Sequence, residues 1–116
     1  MKHVSELKLV DLYNYSLDNF KESPFFKNLK LHKEMAPESK INPEKDIKFR
    51  LTVFNSIKKN GLLKPIKVKK KYGKYFVIEG GGRATSCFFL SIKAKIILDD
   101  GNDMGFYLNE DEVEIK

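Results

Sequence analysis

The sequence predicts an α+β domain, a small mixed β-sheet flanked by helices. Three observations carry this expectation. Ile47, Leu51, Phe54 and Ile57 recur at i, i+4, i+7 and i+10, which lines one face of a helix with apolar side chains. Ile66-Lys67-Val68-Lys69 alternates apolar and charged residues, and Tyr75-Phe76-Val77-Ile78 follows a Lys71-Tyr72-Gly73-Lys74 turn, the pattern of a β-hairpin. The return strand then runs through Glu79 into Gly80-Gly81-Gly82, and a helix-like run from Ala84 to Leu90 comes next.

Taken in order, Lys2 to Tyr15 fits either a strand or a short helix, and periodicity does not choose between them. Ser23-Pro24 starts a helix, with Ser as cap and Pro at the first helical position, that runs to about Glu34. Pro37 lies in the following loop. Asn42-Pro43 leads into the helix Glu44 to Lys59, and Asn60-Gly61 ends it. After the hairpin and the glycine turn, Lys93 to Leu98 alternates again and makes a third strand. Asp99-Asp100-Gly101-Asn102 is a turn, Phe106-Tyr107-Leu108 adds a last short element, and the acidic end is expected to be mobile. One domain covers residues 1–116: a helical extension over 1–40, a motif-bearing region over 41–98 and an acidic tail over 99–116.

Composition narrows the function classes. Hydrophobic residues make up 41% of the chain, enough for a packed core. A lone cysteine, Cys87, excludes an internal disulfide and fits a reducing cytoplasm, where a buried and inert thiol is expected. No stretch approaches the roughly 20 apolar residues needed to span a bilayer. His3 and His32 have no carboxylate or cysteine placed beside them in sequence to make a metal site. The net charge of +6 hides an asymmetry: residues 1 to 98 hold 21 bases against 9 acids, and the remainder holds one base against seven acids. A body of +12 is the footprint of a polyanion partner, and a tail of −6 is expected to fold back onto it and compete for phosphate.

The glycine turn is the candidate chemical site. Glycine allows a sharp turn and close approach of a ligand to the backbone, and a helix N-terminus offers unpaired amides to an anion. Arg83 adds a planar fork of donors that matches phosphate. The phosphate-binding candidates are Gly80, Gly81, Gly82, Arg83, Thr85, Ser86, Asn42 and Lys64. Lys67, Lys69, Lys71 and Lys74 on the hairpin are placed to follow a nucleic-acid backbone, or equally to protect a sheet surface from aggregation. Glu79 is the general-base candidate, and Asp99 and Asp100 at the end of the third strand are candidates to hold Mg²⁺. The turn is neither a Walker loop, which ends in Gly-Lys-Ser/Thr, nor a dinucleotide fingerprint with spaced glycines.

The order of Asn42-Pro43, Ser56-Ile57, Gly61-Leu62-Leu63-Lys64-Pro65-Ile66-Lys67-Val68 and Ile78-Glu79-Gly80-Gly81-Gly82-Arg83 resembles the ParB/sulfiredoxin superfamily, in particular the ParB N-terminal (ParB-like nuclease) domain, over about Ile41 to Leu98. The resemblance implies a nucleoside triphosphate with Mg²⁺ as ligand, held between the Asn42 and Gly80–Arg83 segments. Gly80 and Arg83 match the ends of the family's Gly-Glu-Arg-Arg segment. Gly81 and Gly82 replace its middle residues, and Glu44 replaces the Arg of the family's Asn-Pro-Arg. The Cys and His of the sulfiredoxin branch are missing, so sulfinic-acid reduction is not expected. The chain is too short for the helix-turn-helix and dimerisation regions of partition proteins. A stand-alone module from a phage, plasmid or other mobile element is the expectation.

Three functions follow as alternatives: a nucleotide- or nucleic-acid-binding module; an NTPase, phosphotransferase or metal-dependent nuclease of the same superfold; or a protein-interaction or inhibitor module that has lost its chemistry.

Overall fold

A computed structural model describes residues 1–114. Ile115 and Lys116, the end of the expected acidic tail, lie outside the described residues. The fold is α+β, with four helices and a six-stranded mixed sheet.

The central hairpin forms as the alternation predicts. β2 (Ile66–Lys71) and β3 (Lys74–Glu79) pair antiparallel across Tyr72-Gly73, whose φ values of 53° and 74° suit a tight hairpin turn. β4 (Ala94–Leu98) lies parallel to β2.

The remaining strands come from segments too short to carry a period. β1 (Lys2–His3) pairs parallel with β5 (Phe106–Leu108), β5 pairs antiparallel with β3, and β6 (Val113–Glu114) pairs parallel with β4. The sheet order is β1-β5-β3-β2-β4-β6.

Residues 99–114 are therefore built into the sheet and are not a detached tail. Leu108 and Val113 are buried in the same cluster as Val68, Val77 and Ala94. The tail's acids meet the sheet's own cations. Lys71 Nζ donates to the Asp103 carboxylate at 3.0 Å, and His3 Nε2 lies 2.6 Å from Glu112 Oε1. His3 thus has a carboxylate partner that is 109 residues away in sequence. The Lys71 ammonium and the Gly105 amide hold the Asp103 carboxyl below the usual carboxylate range.

Four helices supply the rest. α1 (Leu9–Leu12) and α2 (Pro24–Met35) fold the N-terminal region. Ser23 Oγ accepts from the Phe26 amide at 3.1 Å, the cap expected of Ser-Pro. α3 (Pro43–Asn60) is capped by Asn42, whose Oδ1 accepts from the Lys45 amide at 3.1 Å, and it ends at Gly61 with φ 76°. Its apolar stripe spans two cores. Ile47, Leu51 and Phe54 join Leu12, Tyr13, Phe20 and Phe26 among the helices, and Ile57 reaches the sheet. α4 (Gly81–Phe89) lies between these cores, with Ala84 and Cys87 towards the sheet and Phe89 towards Tyr13 and Phe54.

Because β5 fills a position beside β3, its anchor should matter to the whole domain. Leu108→Ala removes a side chain that is 1% exposed, and it is expected to cost about 2–5 kcal/mol in urea unfolding. Deleting residues 99–116 should abolish the cooperative transition, and retention of that transition would show that the segment is dispensable.

Candidate functional site

The glycine turn divides its work unequally. Gly80 is the only residue of the three that turns the chain: its φ is 99°, and it caps α4 in the left-handed region. Gly81 and Gly82 belong to the first turn of α4, so the helix starts three residues before Ala84. The first helical hydrogen bond runs from the Ala84 amide to the Gly80 carbonyl at 2.9 Å. The amides of Gly81, Gly82 and Arg83 precede that ladder, and no side chain caps them.

Arg83 is half-buried, and one of its amino groups is already engaged. Nη1 donates to the Lys64 carbonyl at 3.1 Å and to the Pro65 carbonyl at 3.0 Å. The guanidinium lies flat against Gly80, where a Cβ would fall 2.8 Å from Nη2. This correction to a free, fork-like donor has a plain cause. The exit from α3 passes beside the turn, and its carbonyls take the nearest donors. Nε and Nη2 remain uncommitted among the described residues.

A cavity of about 660 Å³ opens over this turn. α3 lines one wall with Lys45, Asp46, Phe49, Arg50 and Val53, a stripe at helical spacing beside the core-facing one. Lys64, Gly80, Gly82 and Arg83 form the other wall. The chain has only two arginines, Arg50 and Arg83, and both line this cavity. Among the described residues neither has a carboxylate within 4.0 Å. Four cations face one acid, Asp46, and Asp46 Oδ2 accepts from the Asn42 amide at 3.3 Å. Phe49 presents a ring that is 70% exposed at the same wall.

The structure brings together Gly80, Gly82, Arg83 and Lys64 of the phosphate candidates, with Gly81 beside them in the same turn. The polar groups of the others are used elsewhere. Thr85 Oγ1 lies 3.0 Å from the Gly81 and Gly82 carbonyls and 2.7 Å from Tyr13 Oη, and Ser86 Oγ donates to the Gly82 carbonyl at 2.8 Å. Both residues are buried. At the fifth and sixth positions of the helix, a hydroxyl can bond back to a carbonyl of the preceding turn, which turns it away from the open end. Asn42 caps α3 and lines a different cleft, beside Lys21, Lys27 and Lys30.

Glu79 lies outside the cavity, exposed on the sheet, with its carboxylate 3.6 Å from Lys67 Nζ. Lys71 pairs with Asp103 and sits 4.7 Å from the Phe76 ring centroid, and Lys74 donates to Tyr107 Oη at 3.0 Å. Lys69 lies opposite Phe76 in the register. Asp99 and Asp100 are exposed where the chain leaves β4, with the Asp99 amide donating to the Val68 carbonyl. No group of three or more metal-ligating side chains occurs among the described residues. Nor is any helix there long and apolar enough to cross a membrane.

Sequence reading missed Arg50, Lys45, Phe49 and Tyr13. Arg50 could have been found by its rarity together with its place on the flank of the predicted apolar stripe, one residue before Leu51. Tyr13 could not. Its ring stacks on Phe54 at 4.5 Å, and its hydroxyl reaches under the first turn of α4, a contact across 72 residues.

No family model, curated protein or solved structure matches this chain. What the site can do rests on its geometry.

Cys87, one turn after Arg83, is 1% exposed, and burial pushes its thiol up to about 11, against a smaller opposing pull from the Arg83 charge. An unfolded thiol ionises near its ordinary 9.0. Between these two values only the unfolded chain releases the proton, so stability falls as pH rises from about 9 to 11 and is unaffected below. Cys87→Ala should flatten that part of the profile by roughly 2–3 kcal/mol relative to wild type. The native thiol should also resist a maleimide at pH 8 until denaturant is added. Rapid native labelling, or parallel profiles for the two proteins, would contradict the burial.

Proposed function

We propose that this chain is a phosphate-binding module, with a ligand of the nucleotide or nucleic-acid class, and that its fold is of the ParB N-terminal kind. One observation carries the reading: the chain's two arginines line one cavity, at a helix start with no side-chain cap, and neither has a carboxylate partner among the described residues. Half-buried guanidinium groups without a counterion favour an anion, and charge-assisted bonds to phosphate are among the stronger polar contacts. The order of elements supports the family reading: α3, the Lys64-Pro65 exit, the hairpin, the Gly80–Arg83 turn, α4 and β4.

In this reading Arg83 and Lys64 form one wall, and Arg50 on α3 is the clamp opposite. The free amides of Gly81, Gly82 and Arg83 donate to the phosphate oxygens that the side chains leave unmet. Phe49 offers a face to a base or sugar at the rim. A triphosphate with Mg²⁺ would bring its own cation to a site that already holds four. The proposed activity is binding. Glu79, the carboxylate first considered for catalysis, is engaged with Lys67 away from the cavity, and Asp46 helps to close the start of α3.

Calorimetric titration with CTP, ATP and pyrophosphate tests this directly. Wild type should bind at low salt and lose affinity as salt rises. Arg50→Ala should weaken binding about 10- to 100-fold, the value of one or two charge-assisted bonds, with little loss of folding stability, because the Arg50 guanidinium has no ion-pair partner among the described residues. Unchanged affinity in Arg50→Ala, or no binding by wild type, would overturn the proposal.

A further inference from the structure

Gly82 is the one glycine of the turn whose missing side chain the fold does not require. Gly80 needs its left-handed φ, and a Cβ on Gly81 would fall 3.2 Å from Phe106 Cζ. At Gly82 the φ is not in the left-handed range, and a Cβ would meet only Arg50 Nη1, at 4.0 Å. Alanine would suit a helix better at such a position. A bare backbone kept where a methyl would fit is what close approach by a ligand calls for.

Gly82 also borders two cavities. Beyond it and Arg50, on the side away from Lys64, lies a second cavity of about 440 Å³. Leu7, Leu9, Phe25, Met104 and Phe106 line it. Apart from Arg50 and the backbone of Gly81 and Gly82, which serve the phosphate, its polar groups are few: Lys8 contributes an ammonium, and the Thr85 hydroxyl is already engaged with Tyr13 and the helix carbonyls. A nucleobase entering here would leave most of its edge without partners, which is costly. An apolar ring or chain would leave nothing unpaired.

We propose, building on the phosphate-binding reading, that the site also takes, besides a nucleotide whose base stays at the Phe49 rim, a phosphate ester with an apolar body. Its phosphate lies in the arginine cavity, and its body crosses the bare backbone of Gly82 into the second cavity.

Chemical-shift titration of the full chain, which reads weak binding, tests this with inorganic phosphate, 1-naphthyl phosphate and uridine monophosphate. Naphthyl phosphate should bind at least about tenfold tighter than inorganic phosphate, the gain expected for burying an aromatic ring. Uridine monophosphate, whose base would lie over Phe49 and outside the second cavity, should bind more weakly than naphthyl phosphate and keep its affinity within about threefold in Phe25→Ala. Phe25→Ala, in the second cavity and outside the arginine cavity, should remove most of the naphthyl gain and change phosphate affinity by no more than about threefold. Met104→Ala, in the same cavity and 54% exposed, should reduce the same gain if the Phe25 variant does not fold. Equal affinity for phosphate and naphthyl phosphate overturns this inference and leaves the anion site standing. So does a loss for the uridine ester in Phe25→Ala as large as that for the naphthyl ester, or an undiminished naphthyl gain in both variants. Absence of binding by all three ligands overturns the phosphate reading as well.

Discussion

Two hydrogen bonds from one amino nitrogen, Arg83 Nη1 to the carbonyls of Lys64 and Pro65, fix the geometry on which the rest of the site depends. They tie the exit of α3 to the start of α4. They also explain the first glycine. With the guanidinium laid against Gly80, no Cβ could stand there, and the left-handed φ of 99° excludes most other residues. Replacing Arg83 by Lys keeps a charge but loses the planar group that can sit flat on backbone while donating sideways.

The two arginines therefore have different roles. Arg83 is held in place and forms part of the wall. Arg50 comes from a helix whose position is set by its own stripe of Ile47, Leu51, Phe54 and Ile57, and its guanidinium has no partner among the described residues. The packing beneath is what allows an open site above. Tyr13, Thr85 and Ser86 gather on the Gly81 and Gly82 carbonyls, so the first turn of α4 is secured from below and its amides stay clear. The net positive charge of the body is spread over many lysines, and several of those on the hairpin are already matched by Glu79, Asp103 and Tyr107. Four other cations, Lys45, Arg50, Lys64 and Arg83, line the cavity.

Much of this was legible in the sequence wherever a local rule governs. Ser23-Pro24 and Asn42-Pro43 mark helix starts because the cap is a side chain next to the turn it closes. Tyr72-Gly73 marks the hairpin because few residues accept positive φ. The rest depends on distant pairings. β1, β5 and β6 are two or three residues long and take their register from partners far away in sequence, so the segment after Leu98 reads as a tail although Phe106–Leu108 and Val113–Glu114 are strands. Thr85 and Ser86 read as ligands for the same reason. Nothing nearby in sequence says that a tyrosine at position 13 waits underneath. Glycine at 80 was readable from its neighbours, whereas the company Gly82 keeps with Arg50 is visible only once α3 and α4 are packed together.

The central claim is that an oxyanion sits between Arg50 and Arg83 on the open amides of the α4 start. The most direct measurement is an amide and arginine side-chain ¹⁵N spectrum of the wild-type chain recorded as pyrophosphate is added. The account predicts that the largest shifts fall on the Gly81, Gly82 and Arg83 amides and on the two arginine Nε groups, and saturate with one common affinity. Shifts centred on the lysines of α2 or of the hairpin, with the α4 start unmoved, would contradict it.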